Sequence, residues 1–209
     1  MDRTPIDMAS YARRAQFDYF RSLAHPYVGL TVEPDITDFL AGLERRGAPF
    51  FLSFSYCVIR AANAVPAFRQ RIAGEGIVEY GYCPGSVTLA LPDGGYCYCT
   101  LDARGDFADY LPAAAEARAR ALAAPSLDDG GDAERLLFLS SVPWLRFTQL
   151  TQPVPEPADS NPRITWGRHV LENGRRRIPV SVLCNHALVD GRQLADFFRA
   201  LERELLALS

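Results

Sequence analysis

The 209-residue chain contains no lysine: all 22 of its basic residues are arginine. That absence excludes Schiff-base and pyridoxal chemistry through a lysine, and it excludes a Walker A phosphate loop. Long apolar runs are missing as well. The longest, at residues 50–56 and 178–184, are too short and too polar to span a bilayer. No N-terminal segment combines a basic start, an apolar middle and a small-residue cleavage site. Five cysteines (Cys57, Cys83, Cys97, Cys99, Cys184) cannot all pair within one chain. A cytoplasmic location with reduced thiols is the expectation. An excess of positive charge is also lacking, since 25 acidic residues outnumber the basic ones and give a net charge of -3. Such a surface argues against nucleic-acid binding.

What remains is ordinary globular composition, 48% hydrophobic and 22% charged, which is enough for a sizeable core. The length fits a single domain over residues 1–209. No repeat or linker divides it. Residues 124–132, rich in Pro, Ser, Gly and Asp, and residues 151–162, with four prolines, read as surface loops. Cys97 and Cys99 alternate with Tyr96 and Tyr98, so both thiols share one strand face. Without a nearby His or a second cysteine pair, they read as small buried side chains rather than metal ligands.

Helix and strand signals are mixed. Helices are expected at residues 10–23 behind a Ser10 cap, from residues 35–38 through 43, at 50–67 ended by Pro66, and at 107–124. Strands are expected at 77–82, 86–91, 96–101, 136–140 and 145–150. Residues 163–171 and 177–184 flank Glu172-Asn173-Gly174, a strong hairpin signal. The helix at 193–208 carries Leu194, Phe197, Phe198, Leu201 and Leu205 on one face. This order predicts an α+β fold, a mixed α/β sandwich in which helices pack on a mixed sheet.

His186 ends the last apolar strand, and Asp190-Gly191 follows at the start of the last helix. A strand end holds a side chain rigidly, and a glycine lets the chain turn sharply. A core histidine and a helix-capping aspartate would read the same way. His25, in a His-Pro pair, and His169, on the hairpin, are poorer candidates for acid–base work. A serine hydrolase is disfavoured: G-x-S-x-G is absent, and the Asp follows the His on the same turn.

This H-x-x-x-D-G, close to the C-terminus after an Asn-Gly hairpin, resembles the signature of the trimeric chloramphenicol acetyltransferases. Dihydrolipoyl acyltransferase cores and peptide-synthetase condensation domains share the motif, but their usual architecture and length differ. The resemblance runs from about residue 6 to 205. Tyr11-Ala-Arg13-Arg-Ala-Gln-Phe17 is similar to the family's W-x-R-x-x-H-F element. Asp35-Ile-Thr37, Pro66-Ala-Phe68-Arg69, Ser140-Ser-Val-Pro143-Trp144 and Arg163-Ile-Thr165-Trp-Gly resemble further blocks in the same order.

The resemblance implies acetyl transfer from acetyl-CoA, as cosubstrate, to a hydroxyl acceptor, with chloramphenicol the default. No metal is implied. His186 matches the general base, Ser140 the oxyanion donor and Thr165 a residue supporting the same intermediate through a water. Arg13 and Asp190 match an ion pair behind the motif. Phe20, Tyr98, Trp144 and Arg163 are expected around the acceptor, in sites between the subunits of a homotrimer. Asn185 stands where the family usually has a second His. Arg163 stands where the family has an aliphatic residue, and Gln152 falls near a position that is apolar there. Alternation puts Arg163 beside Thr165, where it is either a strand-edge charge facing solvent or a pocket-facing guanidinium that needs an acidic or phosphate-bearing partner. A more polar hydroxyl or amine acceptor is therefore an alternative, as is a non-catalytic trimeric binding protein. On this reading Arg163→Ile would favour chloramphenicol.

Overall fold

The computed structural model describes residues 3–209. Its main element is a six-stranded mixed sheet in the order β2–β11–β8–β7–β5–β6. These strands are β2 (Tyr27–Val32), β5 (Gly85–Ala90), β6 (Tyr96–Leu101), β7 (Leu137–Val142), β8 (Arg163–Gly167) and β11 (Val180–Asn185). β5, β7 and β8 run parallel to one another, while β6, β11 and β2 are antiparallel to their neighbours. The helices are α1 (Arg14–Phe20), α2 (Thr37–Arg46), α3 (Phe50–Asn63), α4 (Phe107–Ala123) and α5 (Gly191–Ala207). A small sheet of β1 (Arg3–Pro5), β3 (Gln70–Ala73) and β4 (Gly76–Tyr80), and a hairpin of β9 (Val170–Glu172) and β10 (Arg175–Arg177), complete the chain.

Alternation decides which side of the main sheet is the core. Val87, Leu89, Cys97, Cys99, Leu137, Leu139, Ile164, Trp166, Val180, Val182 and Cys184 are all buried. Trp166 meets Phe51 and Phe54 of α3, and the Cys97 thiol donates to the Ala121 carbonyl of α4, so this face carries the helices. α3 is buried nearly all round, which matches its almost uninterrupted apolar sequence. α5 buries the stripe Leu194, Phe197, Phe198, Leu201 and Leu205, and Phe197 stacks on Phe68 at 5.2 Å. The alternate residues Ser86, Thr88, Ser140, Arg163 and Thr165 face the other way, and that second face holds the cavity described below.

Several expectations need correction. α1 begins only at Arg14, and Ser10 is not its cap; the Ser10 hydroxyl closes a local turn onto Asp7. α3 ends at Asn63, before Pro66, which instead opens a 3-10 turn as its fixed φ and missing N–H allow. Residues 145–150 form no strand. β7 ends at Val142, and the chain turns out with Trp144 and Leu145 exposed. The expected strand at 163–171 breaks after Gly167, where the Arg168 N–H turns to the Leu145 carbonyl at 2.7 Å. The Asn-Gly turn is as read: Asn173 and Gly174 both have positive φ, 50° and 75°, as a type I′ turn requires.

Candidate active site

The base candidate stands on a turn held from four sides. β11 ends at Asn185, and the His186 N–H still reaches the Pro26 carbonyl at 2.7 Å. The Asn185 carbonyl accepts from the Leu188 and Val189 N–H groups, and the Asn185 side-chain oxygen accepts from Ala187. Asp190 then caps α5, accepting from the Arg192 N–H while the Gln193 side chain accepts from the Asp190 N–H. This capping box carries the turn, not Gly191: its φ is not positive, and a side chain there would meet open space. Arg13 donates to the Leu188 carbonyl and lies 3.3 Å from Asp190, without hydrogen-bond alignment. The expected Arg13–Asp190 pair therefore forms, behind the turn.

His186 Nδ1 lies 2.9 Å from the Val189 carbonyl. A carbonyl only accepts, so Nδ1 carries the proton and Nε2 of the neutral ring is left with its lone pair. The ring stacks on Phe20 at 3.7 Å and 14°. His25 packs edge-on against Tyr27, and His169 lies near Phe50, where burial and Arg176 hold its pKa below the ordinary value.

On the open face of the sheet, Thr88, Ser140, Thr165 and Ser181 form one cross-strand row. The Ser140 and Thr88 hydroxyls are 3.1 Å apart, and the Thr165 hydroxyl donates to the Gln152 side-chain oxygen at 3.3 Å. Thr88 and Ser140 of this row line a cavity of about 760 Å³, bordered also by Tyr98, Phe138, Trp144, Gln152 and Arg163, while Thr165 and Ser181 lie buried beside it. That volume suits a small-molecule site.

Over nearly its whole length the chain matches one family of known proteins: the model described as "CAT: Chloramphenicol acetyltransferase" covers residues 1–202. The chain belongs to the chloramphenicol acetyltransferase family. A chloramphenicol acetyltransferase from Streptomyces acrimycini is 27% identical over 202 residues, covering 95% of this chain and 92% of that relative. Chloramphenicol acetyltransferase 2 from Escherichia coli is 27% identical over 211 residues, covering 97% and 96%. A solved chloramphenicol acetyltransferase superimposes with a TM-score of 0.84 at 24% identity, covering 97% of this chain and 99% of that one. The family makes the chain an acyltransferase, and the mixed sheet with its helices is the family fold.

Against that background, the residues fall into two groups. Ser140, Tyr98, Trp144 and Arg163 gather around the cavity, and Thr165 reaches it only through Ser140, its cross-strand neighbour, and Gln152, its hydrogen-bond partner. His186, Phe20, Arg13 and Asp190 gather at the end of β11. Phe20 does not border this cavity of the single chain and stacks instead on His186. The two groups do not meet within one chain. Ser140 is level with Ser181 through Thr165, and His186 lies five residues further along β11, which is roughly 15–20 Å away.

Arg163 is buried and borders the cavity, so it is not a solvent-facing strand-edge charge. Its acidic partner is internal. The guanidinium grips Asp159 with two bonds of 2.7 and 2.8 Å, donates to the Asn161 carbonyl, and lies over the Phe138 ring. Asp159 also accepts from Tyr27, whose hydroxyl it helps push up to about 12, and its carbonyl accepts from the Asn185 side chain. Asp159 thus ties the cavity wall to the His186 turn. Nothing in its Pro-rich surroundings signals this in the sequence; only the basic residue four positions on hints at a partner.

This network gives Arg163→Ile a cost in stability that the sequence reading does not include. The substitution leaves the Asp159 carboxylate without its cation, at a cost toward the lower end of the roughly 3–5 kcal/mol of a broken buried pair. The variant should melt about 6–12 °C lower for a chain of this size, read by calorimetry. Asp159→Asn added to it should recover part of the loss. An Arg163→Ile protein as stable as its parent would count against this account.

Proposed function

We propose that the protein is a CoA-dependent O-acetyltransferase that moves acetyl from acetyl-CoA to a hydroxyl acceptor, with chloramphenicol the default acceptor, as the names of its relatives suggest. The observation that carries the reading is the Nδ1 contact of His186, which fixes the neutral tautomer with Nε2 free to accept a proton. An alcohol is a poor nucleophile at neutral pH until a base takes its proton as it attacks. In the proposed step the acceptor oxygen bonds to the thioester carbon while its proton passes to Nε2 of His186. The Ser140 hydroxyl donates to the oxygen that becomes negative, and Thr165 supports the same intermediate through a water. Collapse then breaks the carbon–sulfur bond, and the imidazolium returns its proton to the departing CoA thiolate. Arg13 and Asp190 hold the turn and do no chemistry.

Because Arg163 is neutralised by Asp159, it offers no free charge to an anionic acceptor. The test is an acetyl-CoA assay against a panel of hydroxylated acceptors including chloramphenicol, reading released thiol. Acceptor-dependent thiol release supports the reading, and release without any acceptor counts for hydrolysis instead.

The separation of His186 from Ser140 further supports sites built between subunits, which the family resemblance makes those of a homotrimer. Among the described residues no helix is long and apolar enough to cross a membrane. Light scattering should give a mass near 69 kDa, three times the 23.1 kDa chain. A fully active monomer would refute the shared site.

A further inference from the structure

We propose that Asp129 makes the cavity selective for an acceptor alcohol bearing a positively charged amine, set apart from the reacting hydroxyl and docked on this carboxylate. The inference rests on the acetyl-transfer reading and names the substrate class of the same site.

Asp129 lies in the loop after α4 and comes over the sheet to border the cavity. One of its oxygens accepts from the hydroxyl of buried Ser86 on β5. The other has no hydrogen bond, and among the described residues no cation pairs with this carboxylate. Two guanidinium groups are in the vicinity, and both are engaged. Arg163, across the cavity, is held by Asp159, and Arg120, on the groove behind Asp129, is held by Glu116. Within one chain the cavity therefore carries one negative charge that none of the described side chains neutralises. Burial and the adjacent Asp128 push the Asp129 carboxyl above its usual range, the response of a carboxylate lacking a counter-charge.

The position of this charge relative to the chemistry follows from strand geometry. Ser86 and Thr88 are two residues apart on the same face of β5, about 7 Å, and the Thr88 hydroxyl touches that of Ser140. A cation on Asp129 is thus separated from the Ser140 row by about the length of a benzene ring with its two para substituents. Tyr96, Tyr98 and Phe138 border the space between and suit a flat apolar body with a cationic end. Neutral chloramphenicol would use these walls without using the charge.

The test compares para-(aminomethyl)benzyl alcohol with para-ethylbenzyl alcohol, its neutral isostere, by titration calorimetry on the native protein and on Asp129→Asn. The native protein should bind the ammonium alcohol about tenfold or more tightly than the isostere, as a charge-assisted contact allows. In Asp129→Asn the ratio should collapse toward one. Equal affinities in the native protein overturn the inference, as does a preference that survives in Asp129→Asn. Acetyl transfer to chloramphenicol and to both alcohols is measured on the same samples. A binding preference with no transfer to any acceptor would sink the acetyltransferase reading and leave the charge preference standing. Transfer without the preference would do the reverse.

Discussion

His186→Ala is expected to lower acetyl transfer by about 10²–10⁴-fold with the chain still folded. The rate effect follows from the tautomer. With Nδ1 committed to the Val189 carbonyl, Nε2 is the ring position able to take the acceptor's proton. Neither other histidine can replace it, since His25 packs against Tyr27 and His169 lies beside Phe50. The fold should survive because the turn does not depend on the ring. Asn185 holds the Ala187, Leu188 and Val189 N–H groups, Asp190 caps α5, and Arg13 ties down the Leu188 carbonyl. The ring's main packing loss is one stacked face of Phe20. The measurement is kcat/KM for thiol release with chloramphenicol, beside a melting curve. A folded variant that keeps near-native turnover would mean that another group is the base.

How much of this arrangement is legible in the sequence depends on how local each feature is. The β9–β10 turn needs two residues with positive φ, and Asn-Gly states that directly. The α5 stripe and the Asp190 cap lie within a few residues of His186, so spacing alone brings them out. At the turn itself Gly191 draws the eye, yet the hydrogen bonds of Asp190 and Asn185 set the geometry. Residues 145–150 show why alternation fails at a strand end: the chain turns after Val142 and lays the Leu145 carbonyl against Gly167 and the Arg168 N–H instead of continuing the ladder. Asp159 and Asp129 lie beyond sequence reading for a different reason. Each sits in an aperiodic loop, and its partner, Arg163 or Ser86, is defined only once the loop has folded over the sheet. The resemblance to the family carried the grouping of Ser140, Thr165 and His186, and one folded chain divides that group in two.

That division leads to the second large effect. Ser140→Ala removes the proposed oxyanion donor and should cost about 10²–10³-fold in kcat. Two nearly dead variants should nevertheless restore activity when unfolded and refolded together. In a cyclic trimer each interface is heterologous, so every site would take His186 from one subunit and Ser140 from its neighbour. Mixing equal amounts of His186→Ala and Ser140→Ala chains gives each position an even chance of either chain. A site is intact when a Ser140→Ala chain supplies His186 and a His186→Ala chain supplies Ser140, which random assembly gives at about one interface in four. The refolded mixture should therefore regain about a quarter of native turnover, while each variant refolded alone stays inactive. The converse pairing at an interface lacks both groups, so recovery cannot exceed about one third, the value for mixed trimers free of single-type assemblies. If His186 and Ser140 of one chain formed a site together, every site in the mixture would lack one of them. A refolded mixture of confirmed mixed trimers with no gain over its components would therefore refute the shared site.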